Sequence, residues 1–178
     1  QGVLNNPLAA PNVIGVNSGA GLATALCCAL APQAPQITPA AAFLGALAGV
    51  LLVLFISERA GAARTTLVLA GVAISSVFSA GIDGVLTFFP DALSGYTDFR
   101  VGGVKNLSMA RLAPAFWVIL IALALALSLS HELDLLLLGR ETAQSLGLPA
   151  GRLRLILLAL AAALAGAAVS FVGLLGFV

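Results

Sequence analysis

The sequence predicts an all-α integral membrane bundle. Of its 178 residues, 61% are hydrophobic and only 8% are charged, and several long runs carry no charge at all. A soluble domain carries roughly 25% charged residues. The 8 basic and 7 acidic side chains present cannot cover the surface of a water-soluble fold of this length. With a mean hydropathy of +1.12, much of the surface has to be solvated by lipid.

The helices follow from the charge-free runs. None of the residues from Gln1 to Ser57 is charged, and further charge-free runs cover Thr65 to Ile82, Leu112 to Ser130 and Leu155 to Val178. A bilayer core of ~30 Å needs about 20 helical residues at ~1.5 Å each, so each later run supplies one crossing. The first run has to supply two. Pro32, Pro35 and Pro39, with Gln33 and Gln36 between them, divide it, because proline ends or kinks a helix. Five membrane helices are expected, at 13–31, 38–57, 65–82, 112–130 and 155–178. They are joined at 32–37, 58–64, 83–111 and 131–154, all within one transmembrane domain over 1–178. Gln1 at one end and the apolar Phe177-Val178 at the other are expected of a piece cut from a longer chain.

Sidedness follows from the basic residues. If the connections alternate, one side holds Arg59, Arg64, Arg140, Arg152 and Arg154, and the other holds Arg100, Lys105 and Arg111. The excess of positive charge places the first set in the cytoplasm. Small residues recur at four-residue spacing in Gly15 and Gly19, in Gly45 and Gly49, and in Gly71, Ser75 and Ser79. Such stripes let backbones approach and point to helices packed on one another. The serines could equally line a polar path.

Little chemistry is available within the chain. A net charge of +1 with no basic run excludes nucleic acid as a partner. Cys27 and Cys28 are adjacent in an apolar stretch, so a helix points them about 100° apart, and they read as small apolar filler rather than a disulfide or metal pair. The one histidine, His131, in His131-Glu132-Leu133-Asp134, reads as a wetted interfacial cluster. No HExxH pair and no GxxxxGK[ST] phosphate cradle occurs, so neither metal nor ATP binding is expected of this chain. The helix interiors also lack the ionisable residues of proton- or ion-coupled carriers, Asp83 being placed at a helix end. The connection at 131–154 holds a short helix bracketed by Gly139 and Gly147. Two turns are unstable alone in water, so this helix rests either on the membrane interface or on a cytoplasmic partner.

Ordered motifs carry a family resemblance. Gln1-Gly2-Val3-Leu4-Asn5-Asn6-Pro7-Leu8-Ala9-Ala10-Pro11, continuing through Gly15, Ser18 and Gly19, resembles the "Q…RNPLA.P..LGV.SGA" signature of the FecCD type of ABC permease. Leu69 to Ser76, with Gly71 and Ser75, resembles its "LAGVAIS" segment, and Leu137 to Gly147 its "LG.E.A..LG" cytoplasmic motif. Ala165-Gly166 and Gly173 to Val178 resemble the approach to "G.I.FVGL..PH". Asn5 replaces the usual Arg, and Phe99-Arg100-Val101-Gly102-Gly103-Val104 lacks the Trp and Ser of "W..GSL".

The resemblance implies the permease subunit of a type II ABC importer in the bacterial inner membrane. Its cargo would be an iron-siderophore chelate, with cobalamin or haem as alternatives. A non-transport assembly or sensory subunit is the rival reading. It implies a permease homodimer or heterodimer and cytoplasmic ATPase subunits that hold the ATP and magnesium, so that this chain is not itself an enzyme. It further implies an extracytoplasmic substrate-binding protein, which Asp91, Asp98, Arg100 and Lys105 could contact. By the same resemblance, Gly139, Glu141, Ala143, Leu146 and Gly147 form the lever that couples the ATPase to the membrane helices. Asn6, Pro7, Leu8, Pro11, Gly15, Ser18, Gly19, Gly71 and Ser75 are the motif residues of structure or pathway.

Overall fold

The computed structural model describes residues 14–61, 64–102, 109–138 and 140–174, and the described residues are helical with short connections. In order they form α1 (Val16–Leu30), a 3-10 turn (Pro35–Ile37), α2 (Thr38–Arg59), α3 (Arg64–Phe88) and α4 (Ala92–Val101). There follow α5 (Met109–Ser128), α6 (Ser130–Leu137), α7 (Arg140–Ser145) and α8 (Ala150–Val172).

The helix α2 sits at the centre and packs against α1, α3 and α8, while α5 lies on α8 and α4 on α1. Its buried face of Ala42, Ala46, Val50, Val53 and Leu54 meets Val16 and Ala20 of α1, Leu67, Ala70 and Ile74 of α3, and Leu158, Ala162 and Val169 of α8. The opposite faces stay apolar and exposed, as at Leu44, Phe55, Leu69, Val77 and Leu127. A helix apolar all round, buried on one side and bare on the other, is what a lipid-facing bundle requires.

The small-residue stripes form the α1–α2 contact. A Cβ on Gly19 would overlap the Gly45 carbonyl oxygen, one on Gly45 would overlap the Gly19 carbonyl oxygen, and one on Gly49 would stand 2.7 Å from the Gly15 carbonyl oxygen. Two glycine pairs therefore interdigitate, backbone on backbone. In the third stripe Gly71 is buried, Ser79 is exposed, and Ser75 accepts a hydrogen bond at 3.1 Å from the Ser18 hydroxyl.

Several boundaries differ from the expected spans. Among the described residues three helices are long and apolar enough to cross a membrane, at Pro35–Arg59, Thr65–Phe88 and Ala150–Val172. A fourth crossing is possible as the bent pair Leu112–Ser128 and Ser130–Leu137, which turns by 57°. In place of 13–31, α1 has 15 residues, about 22 Å of helix at ~1.5 Å per residue, short of a ~30 Å core. The left-handed Gly15 (φ 84°) precedes it. The helix expected at 65–82 runs on to Phe88, with Asp83 inside it and exposed rather than at its end. That expected at 155–178 begins at Ala150, with Arg152 and Arg154 inside its first turns. In each case the charge-free run marks the stretch that lipid can solvate, whereas the helix continues as far as its hydrogen bonds do. The connection expected at 83–111 contains α4, and that at 131–154 contains α6 and α7.

Candidate functional site

Both ends of the bundle carry features that the sequence singled out. At one end, α6 leaves α5 through the bend at Leu129, with His131 exposed in its first turn, and α7 packs against α6 and α8. The end of α7 is closed by paired backbone bonds. The Leu148 N–H donates to the Ala143 carbonyl at 3.0 Å and the Gly147 N–H to the Gln144 carbonyl at 3.0 Å. Gly147 itself is left-handed (φ 83°). This is a Schellman closure, which needs a positive φ at the residue where Gly147 stands and satisfies carbonyls that the helix end leaves open.

The link to α8 is equally tight. Pro149 (φ −75°, ψ 69°) makes an inverse γ-turn in which the Ala150 N–H reaches the Leu148 carbonyl at 2.8 Å, and the Leu153 N–H then donates to the Pro149 carbonyl at 3.0 Å. Ala143 of α7 is completely buried, while Leu146, the residue after the helix, is 60% exposed. Thr142, Gln144, Ser145 and Gly147 also face outward. Ala143 therefore seats α7 on its own bundle, and Leu146 offers an apolar side chain to something else. Glu141 falls within α7, and Gly139 lies outside the described residues.

At the opposite end the last turn of α1, the start of α2, the helix α4 and the last turn of α8 surround a cleft of about 400 Å³. Among its lining residues are Cys28, Thr38, Asp91, Asp98, Phe99 and Phe171. These shared walls fix the course of the chain: α1, α3 and α8 run toward this end, and α2 runs away from it. α4 is held on α1 by Tyr96, which packs with Ala25 and Ile82, and by Gly95, where a Cβ would stand 3.0 Å from the Cys28 Sγ. Burial pushes the Tyr96 phenol above its ordinary range, with Arg100 opposing the shift and Asp83 adding to it. Asp91, Asp98 and Arg100 are exposed.

Of the motif residues, Gly15 and Gly19 are buried in the α1–α2 contact, Ser18 and Ser75 pair between α1 and α3, and Gly71 is buried in α3. Asn6, Pro7, Leu8 and Pro11, together with Lys105 of the opposite connection, lie outside the described residues. Cys27 and Cys28 are free thiols. Cys27 approaches the Thr38 hydroxyl at 3.9 Å, and Cys28 lines the cleft, a role that its apolar surroundings in the sequence did not signal. Among the described residues no group of three His, Cys, Asp or Glu side chains could hold a metal ion.

The geometry is that of a helical membrane bundle with an exposed short helix at one end, and the comparisons agree with it. The FecCD transport family matches the chain over residues 1–178. The Fe(3+)-citrate import system permease protein YfmE of Bacillus subtilis (strain 168) is 37% identical over 181 residues, covering 100% of this chain and 54% of that protein. The hemin transport system permease protein HmuU of Yersinia pestis is 34% identical over 100% of this chain and 55% of its own length. The cobalamin import system permease protein BtuC of Halobacterium salinarum is 31% identical over 100% of this chain and 48% of its own. A solved ABC transporter of metal-chelate type, in an inward-facing conformation, superposes with a TM-score of 0.88 at 26% identity. That match covers 99% of this chain and 56% of the other. The chain spans about half the length of the curated relatives it matches. Ordered motifs, bundle architecture and a family match along its whole length lead to one conclusion: this chain belongs to the FecCD transport family.

Proposed function

We propose that the chain forms part of the membrane-spanning permease subunit of an ATP-driven importer, which carries an iron-siderophore or related metal chelate across the bacterial inner membrane. On this reading two permease subunits, identical or paired with a relative, enclose the pathway. Cytoplasmic ATPase subunits carry ATP and magnesium, and an extracytoplasmic binding protein delivers the cargo. This chain does no chemistry. It converts the closure of the ATPase into alternating access of the pathway.

The observation that carries the reading is α7, with Ala143 anchored inward, Leu146 exposed, and Gly147 and Pro149 fixing its attachment to α8. Gly139, Glu141, Ala143, Leu146 and Gly147 are the proposed coupling residues: Gly147 sets the turn after α7, Ala143 the seat and Leu146 the apolar contact with the ATPase. Truncating a well-packed apolar anchor of this kind costs an interface ~2 kcal/mol or more. Relatives named for iron citrate, haemin and cobalamin support a chelate cargo, with iron-siderophore as the commonest role of the family. Asn6, Pro7, Leu8 and Pro11 are assigned to structure or pathway on the motif alone. Gly15, Ser18, Gly19, Gly71 and Ser75 are assigned to helix packing on their placement.

The test is uptake of a ferric chelate by the full-length protein reconstituted with its ATPase and binding protein, comparing Glu141→Ala and Gly147→Pro with the unaltered chain. Loss of ATP-dependent uptake in both is expected; uptake that needs no ATP and ignores both changes would sink the reading.

A further inference from the structure

Two glycines with positive φ and extended ψ, a backbone region essentially restricted to glycine, meet where the end of α4 crosses the end of α8. Gly102 (φ 67°) follows α4 and Gly173 (φ 88°) follows α8. A Cβ on Gly102 would stand 2.7 Å from the Val172 carbonyl oxygen. One on Gly173 would stand 2.7 Å from the Gly102 Cα and overlap the Phe99 carbonyl oxygen. That same carbonyl accepts a hydrogen bond from the Leu174 N–H at 3.1 Å.

Helix termination by itself explains a positive φ but not this crowding. Gly61 (φ 107°) and Gly147 (φ 83°) end helices equally well, and a Cβ on either would meet nothing within 4 Å. Gly102 and Gly173 additionally bring two backbones into contact and join them by a hydrogen bond. Along its length α4 packs on α1, through Tyr96 against Ala25 and through Gly95, where a Cβ would stand 3.0 Å from the Cys28 Sγ; the glycine crossing is its backbone tie to α8.

The other end of α8 carries α7, through the hydrogen-bonded link at Leu148, Pro149 and Ala150. Between the two ends α8 is one unbroken helix of 23 residues with no internal proline, about 34 Å long at ~1.5 Å per residue. A stiff rod thus has the proposed ATPase contact at one end and α4, a wall of the cleft, at the other.

We propose that the Gly102–Gly173 crossing is a positioning joint of the transport cycle. It makes α4 move with α8, so that displacement of α7 by the ATPase reshapes the cleft lined by Cys28, Asp91 and Asp98. This inference rests on the importer reading above, and it gives neither glycine a contact with the cargo.

The test uses the full-length protein in liposomes with its ATPase and binding protein. Gly102→Ala and Gly173→Ala are expected to keep ATP hydrolysis within about two-fold of the unaltered protein and to lower chelate uptake by at least about ten-fold. Gly61→Ala, also at a positive φ but in open space, should retain uptake. A Phe99→Cys/Leu174→Cys pair, with Cys27 and Cys28 changed to Ala, adds a comparison within one protein. Oxidised and reduced forms are expected to transport within about two-fold of each other, because the joint stays closed throughout the cycle.

Uptake abolished only by oxidation would mean that α4 and α8 separate during transport, and would overturn the joint. So would Gly102→Ala and Gly173→Ala proteins that transport like Gly61→Ala. If the glycine variants fail to assemble, the oxidised and reduced forms decide alone. Uptake without ATP by the unaltered protein removes the importer reading instead, a result separate from either of these.

Discussion

Gly19 of α1 and Gly45 of α2 face each other so closely that a methyl group on either would overlap the carbonyl oxygen of the other. With no water to drive helices together in lipid, close van der Waals contact is what holds such a pair. Gly19→Val and Gly45→Val are expected to destabilise the protein by about 2–3 kcal/mol, as overpacking does in a filled core. The control is Gly84→Val in α3, where a Cβ would meet nothing within 4 Å. Thermal unfolding in detergent would show a lowered midpoint for the first two and little change for the third; equal midpoints for all three would contradict the packing described.

Ser18 and Ser75 make a different kind of bridge, a single hydrogen bond of 3.1 Å between α1 and α3. Hydrogen bonds between membrane helices contribute ~0.6 kcal/mol on average. A double-mutant cycle with Ser18→Ala and Ser75→Ala is expected to give a coupling of that order, with assembly preserved. A coupling of several kcal/mol would mean that the pair belongs to a larger polar network.

Ala143 in α7 is buried and Leu146, just past its end, is exposed, so they separate function from stability. Leu146→Asp removes an exposed side chain, and stability should stay within about 0.5 kcal/mol, while ATP-driven uptake falls by at least about ten-fold through lost contact with the ATPase. Ala143→Leu forces bulk into a filled seat and should lower stability by about 1–3 kcal/mol. Measuring melting and uptake on both variants checks the assignment, which fails if Leu146→Asp transports normally.

Gly147 is left-handed in open space, so its requirement is conformational rather than steric. Gly147→Ala should cost about 1–2 kcal/mol locally, the penalty of that backbone region for residues bearing a Cβ. Gly147→Asn should cost less, since asparagine visits the region more readily. Uptake should follow the same order, Gly above Asn above Ala, and a scrambled order would detach the turn from coupling.

Much of the bundle was legible because lipid solvation leaves a direct mark on composition: charge-free runs coincide with the cores of α2, α3, α5 and α8. The missing pieces were α6, read as an interfacial cluster, and α4. Its Ala92–Val101 sequence carries Ser94, Thr97, Asp98 and Arg100, and on hydropathy alone that is indistinguishable from a solvated loop. It is helical because Ala92 and Tyr96 are buried, with Tyr96 packed against Ala25 and Ile82, a tertiary reason that local sequence does not contain. The lever at Gly147 was readable from a glycine at a helix end. Which way Ala143 and Leu146 point was not, since six residues have no periodicity to speak of and only α6 and α8 decide the face. The Gly102–Gly173 meeting joins residues far apart in the chain, and each glycine alone reads as a helix stop.

The central place of α2 also bears on how the protein is made. α1 and α2 are joined by a short turn, and their glycines mesh without help from later residues, so this hairpin can leave the insertion machinery as a finished pair. α8 emerges long afterwards and has to dock onto a face already presented, through Gly166, where a Cβ would stand 3.0 Å from the Ala46 Cβ. The Gly19–Gly45 contact thus governs an early step of biogenesis and the Ala46–Gly166 contact a late one. Until that late docking the side of α2 that carries Phe43 and Ala46 stays without its α8 partner.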